Sequence, residues 1–383
     1  MRKAVAKATL FLAVNLGVII VTFLLIEGFS STALVLYEIV KLRPVAERFH
    51  TQYDAEIGWV SVPNVFIKDL YGKGKYVRTN SQGFRNDSDI DPKIAEGKIR
   101  IVCSGDSFTF GYGVDNESTW CQMLSAVDGS IEAVNLGQGG YGVDQAYLWY
   151  TRNSPRMNHH VHLFAFVTDD FRRMESDRFL GYGKPTLGLR DGFLVAGNIP
   201  VPRRGFYVPW LTHTLEGLRK LSSLRVLQGV YARLFDASDA GSETESQTAA
   251  VALKIFDELE QINRAKSSTL VLVYLPTQGD YLKNSSDYWR DLIRTYAAER
   301  KIVYMDLVDE IKKVPPDQLQ RMFIGSEVLD YQGAAGHYTE EGNAYIASTL
   351  YTKMQGLPRL RDQFLVRGSD KEKILPGGRL SGS

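Results

Sequence analysis

Two cysteines in 383 residues allow at most one disulfide, so no cystine framework supports this chain. Cys103 and Cys121 leave two readings open: a pair formed in an oxidising compartment, or two buried and inert thiols. An excess of one charge is also missing, since 45 Lys and Arg face 44 Asp and Glu for a formal net charge of +1. That balance gives no electrostatic reason to expect a nucleic-acid partner. Histidine is scarce, with six residues: His50, His159, His160, His162, His213 and His337. The cluster Asn158–His162 invites a metal reading, because alternate strand residues share a face. It precedes the apolar run Leu163–Val167 and so falls at the opposite end from chemistry at a carboxyl edge; no metal and no cofactor are expected.

Long apolar runs are absent except at the start. Ala8–Ile26 is interrupted only by Thr9, Asn15 and Thr22, and Arg2, Lys3 and Lys7 precede it. As a helix this run approaches the roughly 30 Å hydrocarbon core of a bilayer. The nearest basic residues after it are Lys41 and Arg43, so positive-inside bias puts the N-terminus in the cytoplasm and the body outside. A cleaved signal peptide with Ser31–Ala33 as its cleavage site is the competing reading. The anchor is preferred, which expects a single-pass inner-membrane protein with its body on the periplasmic side.

The chain as a whole is 44% hydrophobic, enough for a sizeable core. Ser30–Arg48 reads as a helical stalk, and Tyr53–Asn86, with its Gly, Tyr, Val and turn residues, as a small β-rich preface without chemistry of its own. Five apolar runs then alternate with helical patterns: Ile99–Cys103, Ile131–Asn135, Leu163–Val167, Leu270–Tyr274 and Ile302–Met305. This alternation predicts an α/β fold with a parallel sheet covered on both faces. About a hundred residues separate the third and fourth runs, more than one crossover needs, so most of them are insertion. Within it Leu211–Phe235 reads as helix and Asp236–Thr248 as a mobile polar loop, while Phe206, Tyr207 and Trp210 suggest packing or a sugar platform on a lid.

Gly105-Asp106-Ser107-Phe108 follows the first of these runs directly. A strand ending in a tight glycine turn delivers a serine to the carboxyl edge of a sheet. The stretch Ile99–Val114 resembles the first block of the SGNH/GDSL hydrolases, with Ser107 in the place of their nucleophile. Ala133–Gly142 resembles the second block, whose glycine N–H donates to the oxyanion, here Gly140. Gly336–Ala347 is similar to the fourth, where a histidine precedes a Thr-x-x-Gly turn and a helix, here His337 as general base. Two positions depart from the pattern. The third block supplies an Asn amide as a further oxyanion donor, but Leu163–Phe171 carries Asp169 there, and a carboxylate donates only when protonated. The triad acid is expected three residues before the histidine, where Ala334 stands; Asp330 is the nearest upstream carboxylate and the candidate replacement, with a backbone carbonyl as an alternative way to orient the ring.

The resemblance implies a flavodoxin-like three-layer αβα sandwich with a five-stranded parallel sheet. It further implies acyl transfer in which His337 takes the proton of Ser107 and the N–H groups of Ser107 and Gly140 hold the oxyanion. Water as acceptor makes an esterase, and a sugar hydroxyl makes an O-acyltransferase. The expected organisation is an anchor (1–28), a stalk and preface (29–95), an SGNH-like domain (96–358) with an insertion at about 172–250, and a polar tail (359–383). Its partners would be an acylated carbohydrate or other ester, the membrane, and envelope polysaccharide machinery. A catalytically impaired glycan-binding or polysaccharide-assembly protein is the alternative that the departures at Asp169 and Ala334 motivate. Gly137–Gly142 also satisfies G-x-G-x-x-G, the dinucleotide fingerprint, yet it comes after the second strand and lacks the acidic residue that should close the next.

Overall fold

The computed structural model describes residues 7, 9, 11–23, 25, 50–180, 182–203, 239–283, 286–325 and 331–357. The stalk, the aromatics Phe206, Tyr207 and Trp210, the helix expected over Leu211–Phe235, Asp330 and the polar tail lie outside these residues. Two compact units divide the chain: residues 1–45 with 206–231, and residues 46–205 with 232–383. In the first, residues 11–23 are helical, with Phe11, Leu12, Val14, Leu16, Val18 to Val21 and Phe23 exposed. Among the described residues no helix is long and apolar enough to cross a membrane.

The second unit is built on five parallel strands: β1 (Ile99–Ser104), β2 (Ile131–Asn135), β3 (Val161–Phe166), β4 (Thr269–Tyr274) and β5 (Val303–Asp306). Their order is β5-β4-β3-β1-β2. Every residue of β1 and β3 is buried, as expected for central strands covered on both faces. The two-residue period of a strand sorts their side chains. Val102, Val134, Phe164, Phe166, Leu270, Leu272 and Tyr274 pack with Tyr150, Ile255, Phe256, Leu259 and Ile293 from the helices Val143–Asn153, Asp239–Ala265 and Asp287–Arg300. Ile101, Cys103, Ala133, Leu163, Ala165, Val271 and Val273 pack with Trp120, Leu124, Ile346 and Leu350 from Trp120–Val127 and Glu340–Gln355. This is an α/β sandwich of three layers.

The chain starts in the middle of the sheet, moves outward to β2, then returns across β1 to β3. Loops after β1 and β3 therefore diverge, and the crevice between them is where such sheets bind ligands. Two short hairpins, Thr51–Asp54 with Gly58–Ser61 and Phe66–Ile67 with Val77–Arg78, precede the sheet, and two more, Arg178–Phe179 with Tyr182–Gly183 and Thr186–Arg190 with Phe193–Gly197, come after β3.

Two local expectations change. Residues 239–248, read as part of a polar loop, form the start of the helix Asp239–Ala265. His162, read as preceding the third strand, lies inside it. Its Nε2 contacts Ser104 Oγ at 2.5 Å and its Nδ1 contacts Asn263 Nδ2 at 3.1 Å, while the Tyr150 ring stacks on it at 3.6 Å. Tyr150 donates to Asn263 Oδ1 at 2.9 Å and meets His159 Nε2 at 3.0 Å. Burial lowers the pKa of both imidazoles, that of His159 to about 4, so these rings sit neutral in a polar network within the core. Cys103 and Cys121 are buried free thiols on facing elements.

Candidate active site

The turn that carries Ser107 is shaped by what cannot fit. A Cβ on Gly105 would lie 2.4 Å from the Ala165 carbonyl oxygen and 2.5 Å from Thr109 Oγ1, so only glycine lets β1 turn this close to β3. Asp106 then caps the helix Ser107–Phe110, accepting from the Phe108 N–H at 2.8 Å. Ser107 occupies the first helical position and is 5% exposed.

The glycine turn after β2 packs directly on this helix. Asn135 accepts from the Gly137 N–H at 2.9 Å through its side chain and donates to the Thr109 carbonyl at 2.9 Å, while Gln138 N–H donates to the Gly105 carbonyl at 3.1 Å. A Cβ at Gly137 would fall 2.2 Å from Phe110 N. Gly140 has φ +75°, and a Cβ there would meet the Phe179 ring at 2.4 Å. Trp59 from the preface donates through its indole N–H to the Gly139 carbonyl at 2.8 Å. The backbone of Phe110, the hydroxyl of Tyr112 and the ring of Phe179 thus occupy the space that a pyrophosphate needs against this glycine run, which explains why its match to a dinucleotide fingerprint is only formal.

His337 arrives on the loop before the C-terminal helix. Gly336, at φ +80°, turns the chain, and the pairs Ile324 N–H to His337 carbonyl and Gly336 N–H to Ile324 carbonyl, both 2.8 Å, hold the loop. Thr339 caps the helix Glu340–Gln355 by accepting from the Gly342 N–H at 3.1 Å, and a Cβ at Gly342 would sit 2.2 Å from the Met322 carbonyl oxygen. The Thr-x-x-Gly spacing thus serves a cap and a close approach one turn apart.

The imidazole meets the serine. His337 Nε2 lies 2.7 Å from Ser107 Oγ, across 230 positions of sequence. Its Nδ1 faces the Ala334 carbonyl oxygen at 3.3 Å. A carbonyl only accepts, so the proton belongs on Nδ1 and Nε2 is left to accept the serine proton. The residue that stands where an acid is expected therefore orients the ring through its main chain. Phe108 stacks on the imidazole at 4.5 Å and Tyr112 approaches it at 5.3 Å. Burial lowers the His337 pKa from the usual 6.5, against the opposing pull of the Asp106 charge and the Ala334 carbonyl. If His337 serves as a base it is competent in its neutral form, so the acid limb of kcat/KM should fall below pH 6.5; an inflection above 6.5 would contradict this environment.

Of the proposed oxyanion residues, Ser107 and Gly140 sit on the two packed turns, and among the described residues neither N–H has a hydrogen-bond acceptor. Asp169 does not join them. Its side chain is 62% exposed and pairs with Arg172 at 3.2 Å, an arrangement of a carboxylate that accepts rather than an amide that donates. Its neighbour Asp170 turns inward, accepting from the Val167 N–H at 3.0 Å, and burial with Asp106 beside it pushes its pKa well above the usual carboxylate range. Asp330 lies outside the described residues.

Three cations packed around these turns escaped the motif reading, Lys184 and Arg85 fully buried and Arg173 half-buried. Arg173 Nη1 donates to Asp106 Oδ2 at 3.1 Å. Lys184 pairs with Asp144 at 2.6 Å with both side chains fully buried. Arg85, on the preface, reaches the Phe110, Gly111 and Val114 carbonyls at 2.6, 2.5 and 2.5 Å. Apart from the Asp170 that Arg173 meets on its own helix, the partners named here lie on other segments, where no local spacing announces them.

No protein-family model matches the chain, and no curated protein does. Solved structures do. A lipolytic protein of the G-D-S-L family from Veillonella parvula DSM 2008 is 15% identical with a TM-score of 0.37, covering 68% of this chain and 100% of its own. A putative lipolytic protein of the same family from Desulfitobacterium hafniense DCB-2 is 16% identical with a TM-score of 0.38, covering 67% and 99%. A lipase/acylhydrolase from Enterococcus faecalis is 11% identical with a TM-score of 0.39, covering 67% and 96%. The first two of these structures carry the G-D-S-L family name in their descriptions. The chemistry open to the site is set by its own geometry.

Proposed function

We propose that this protein is a serine ester hydrolase or O-acyltransferase of the SGNH type, acting on ester-linked acyl groups of envelope or exported glycans. The observation that carries the reading is the 2.7 Å contact between Ser107 Oγ and His337 Nε2, in a ring whose other nitrogen faces a carbonyl. In the first step His337 Nε2 takes the hydroxyl proton as Ser107 Oγ bonds to the acyl carbon. The N–H groups of Ser107 and Gly140 stabilise the resulting oxyanion. When the carbonyl re-forms, the alcohol leaves with the proton from His337. Water, or a sugar hydroxyl, then attacks the acyl carbon as His337 Nε2 takes its proton, and when the bond from the acyl carbon to Ser107 Oγ breaks His337 returns that proton to the serine. The full-length protein should hydrolyse p-nitrophenyl acetate with first-order dependence on enzyme. Complete inertness in that assay and with an acylated oligosaccharide would favour the second reading, a glycan-binding member, which the exposed carboxylate at Asp169 and the alanine at position 334 motivate.

The same proposal puts the protein at the inner membrane with the site on the periplasmic side. Support comes from the helical, outward-facing apolar residues among 11–23 and from the run Ala8–Ile26, about 28 Å long as a helix. Full-length protein should stay with the membrane fraction through a carbonate wash; release into the supernatant would contradict the anchor. The glycan assignment rests on this exported location.

A further inference from the structure

The side chain that joins the three parts of the site is one that no motif names. Arg173 lies one helical turn beyond Asp169, on the helix Thr168–Met174 that succeeds β3. Its Nη1 donates to Asp106 Oδ2 at 3.1 Å, to Asp170 Oδ1 at 2.5 Å and to the Tyr141 carbonyl at 2.9 Å. Asp106 belongs to the nucleophile turn and caps its helix, Tyr141 directly follows Gly140, and Asp170 belongs to Arg173's own helix. One nitrogen therefore fixes the serine turn against the glycine turn, with the third segment as the frame. The same guanidinium lies over the Phe179 ring at 5.3 Å, and that ring covers the space beside Gly140 where a Cβ would project. Its charge is secure: burial works against it, and the Asp170 and Asp106 carboxyls override burial, so the pKa is raised.

Arg173 is itself held. The fully buried Lys184 donates to the Arg173 carbonyl at 2.9 Å and the Ser176 carbonyl at 3.2 Å while pairing with Asp144 at 2.6 Å. A cation on the last carbonyls of a helix is placed where the dipole favours it. The chain of contacts runs from Lys184 through Arg173 to the two turns that carry Ser107 and Gly140.

We propose that Arg173 is a positioning residue of the acyl-transfer site: it sets the Gly140 turn against the Ser107 turn. The third segment, whose residue 169 offers only an exposed carboxylate, then contributes through residue 173 instead. This inference rests on the esterase reading above. Oxyanion donors act only when placed to a fraction of an ångström, and a shift of about 1 Å costs on the order of 10²-fold in rate.

The test is steady-state hydrolysis of p-nitrophenyl acetate by full-length wild type, Arg173→Gln and Arg173→Lys, with rates normalised to sites titrated by a fluorophosphonate burst. Arg173→Gln should lower kcat per titrated site by about 10- to 10²-fold with KM within threefold, because the loss falls on the transition state. Arg173→Lys, which keeps a charge on a shorter stem, should recover part of that loss. A purely structural role would reduce the number of titrated sites and leave kcat per site unchanged, and that result overturns the proposal. Should Arg173→Gln not fold, Arg173→Lys alone carries the comparison; failure of both to fold would assign Arg173 to stability and overturn the positioning role. An inert wild type is a separate outcome, which removes the esterase reading and this inference with it.

Discussion

Ser107→Ala should lower the esterase kcat by about 10⁴- to 10⁶-fold while leaving the fold intact. The hydroxyl makes two side-chain contacts, 2.7 Å to His337 and 3.4 Å to Asp106, so its removal leaves no buried group without its main partners: Asp106 keeps Phe108 and Arg173, and the His337 ring keeps Ala334 and Phe108. Stability should therefore move by less than about 1 kcal/mol, as for other small truncations outside the core packing. His337→Ala should cost a similar factor in kcat, and the double variant should be little worse than either single one, because nucleophile and base act as a unit. Rates from p-nitrophenyl acetate at enzyme concentrations high enough to detect slow turnover make the comparison. Unchanged hydrolysis in Ser107→Ala would assign the activity to another group.

The second large effect is on stability. Arg85→Met should destabilise the protein by about 3 to 5 kcal/mol. Its guanidinium is fully buried and, among the described residues, has no carboxylate in hydrogen-bond contact; it is satisfied by the Phe110, Gly111 and Val114 carbonyls and by Asn116 Oδ1 at 3.0 Å. The Phe110 ring lies 4.8 Å from the cation. Methionine fills much of the volume and donates to none of the four acceptors; Asn116 Oδ1 keeps the Arg78 N–H, and each buried carbonyl left without a donor costs about 1–3 kcal/mol. Two of those carbonyls close the helix that starts at Ser107, so the residual activity of folded protein should fall as well. Urea denaturation followed by tryptophan fluorescence measures the first effect. A midpoint within the range of surface substitutions, about 0.5 kcal/mol, would show that Arg85 is not the bolt between preface and nucleophile helix.

These two predictions differ in how far the sequence anticipated them. The segments that bring Ser107 and His337 into contact were legible because their patterns are written locally: a strand, a glycine turn and a serine in one place, a histidine with its cap and glycine in another. The five strands were legible for the same reason, since a buried parallel strand is a short apolar run. Arg85, Arg173 and Lys184 were not. Arg173 meets Asp106 across 67 positions and Lys184 meets Asp144 across 40, contacts that no local spacing marks. The preface, expected to lack chemistry, contributes Arg85 to the nucleophile helix and Trp59 to the glycine turn.

The start of β3 was misplaced by the same cause. The strand was expected from Leu163 and starts at Val161, and contacts with Ser104, Asn263 and Tyr150 make His162 compatible with burial inside it. Ala334 shows the limit from the other side. Its sequence position announces a missing acid, and only the folded loop reveals that its carbonyl faces the ring in that acid's place.

The claim on which the rest depends is that Ser107 is an activated nucleophile with His337 as its base. Mass spectrometry of full-length protein after exposure to a fluorophosphonate measures this directly. The account predicts one covalent adduct, on the peptide carrying Ser107, absent in Ser107→Ala and formed about 10³-fold more slowly in His337→Ala. An unmodified wild-type Ser107, or an adduct forming equally fast without the imidazole, would contradict it.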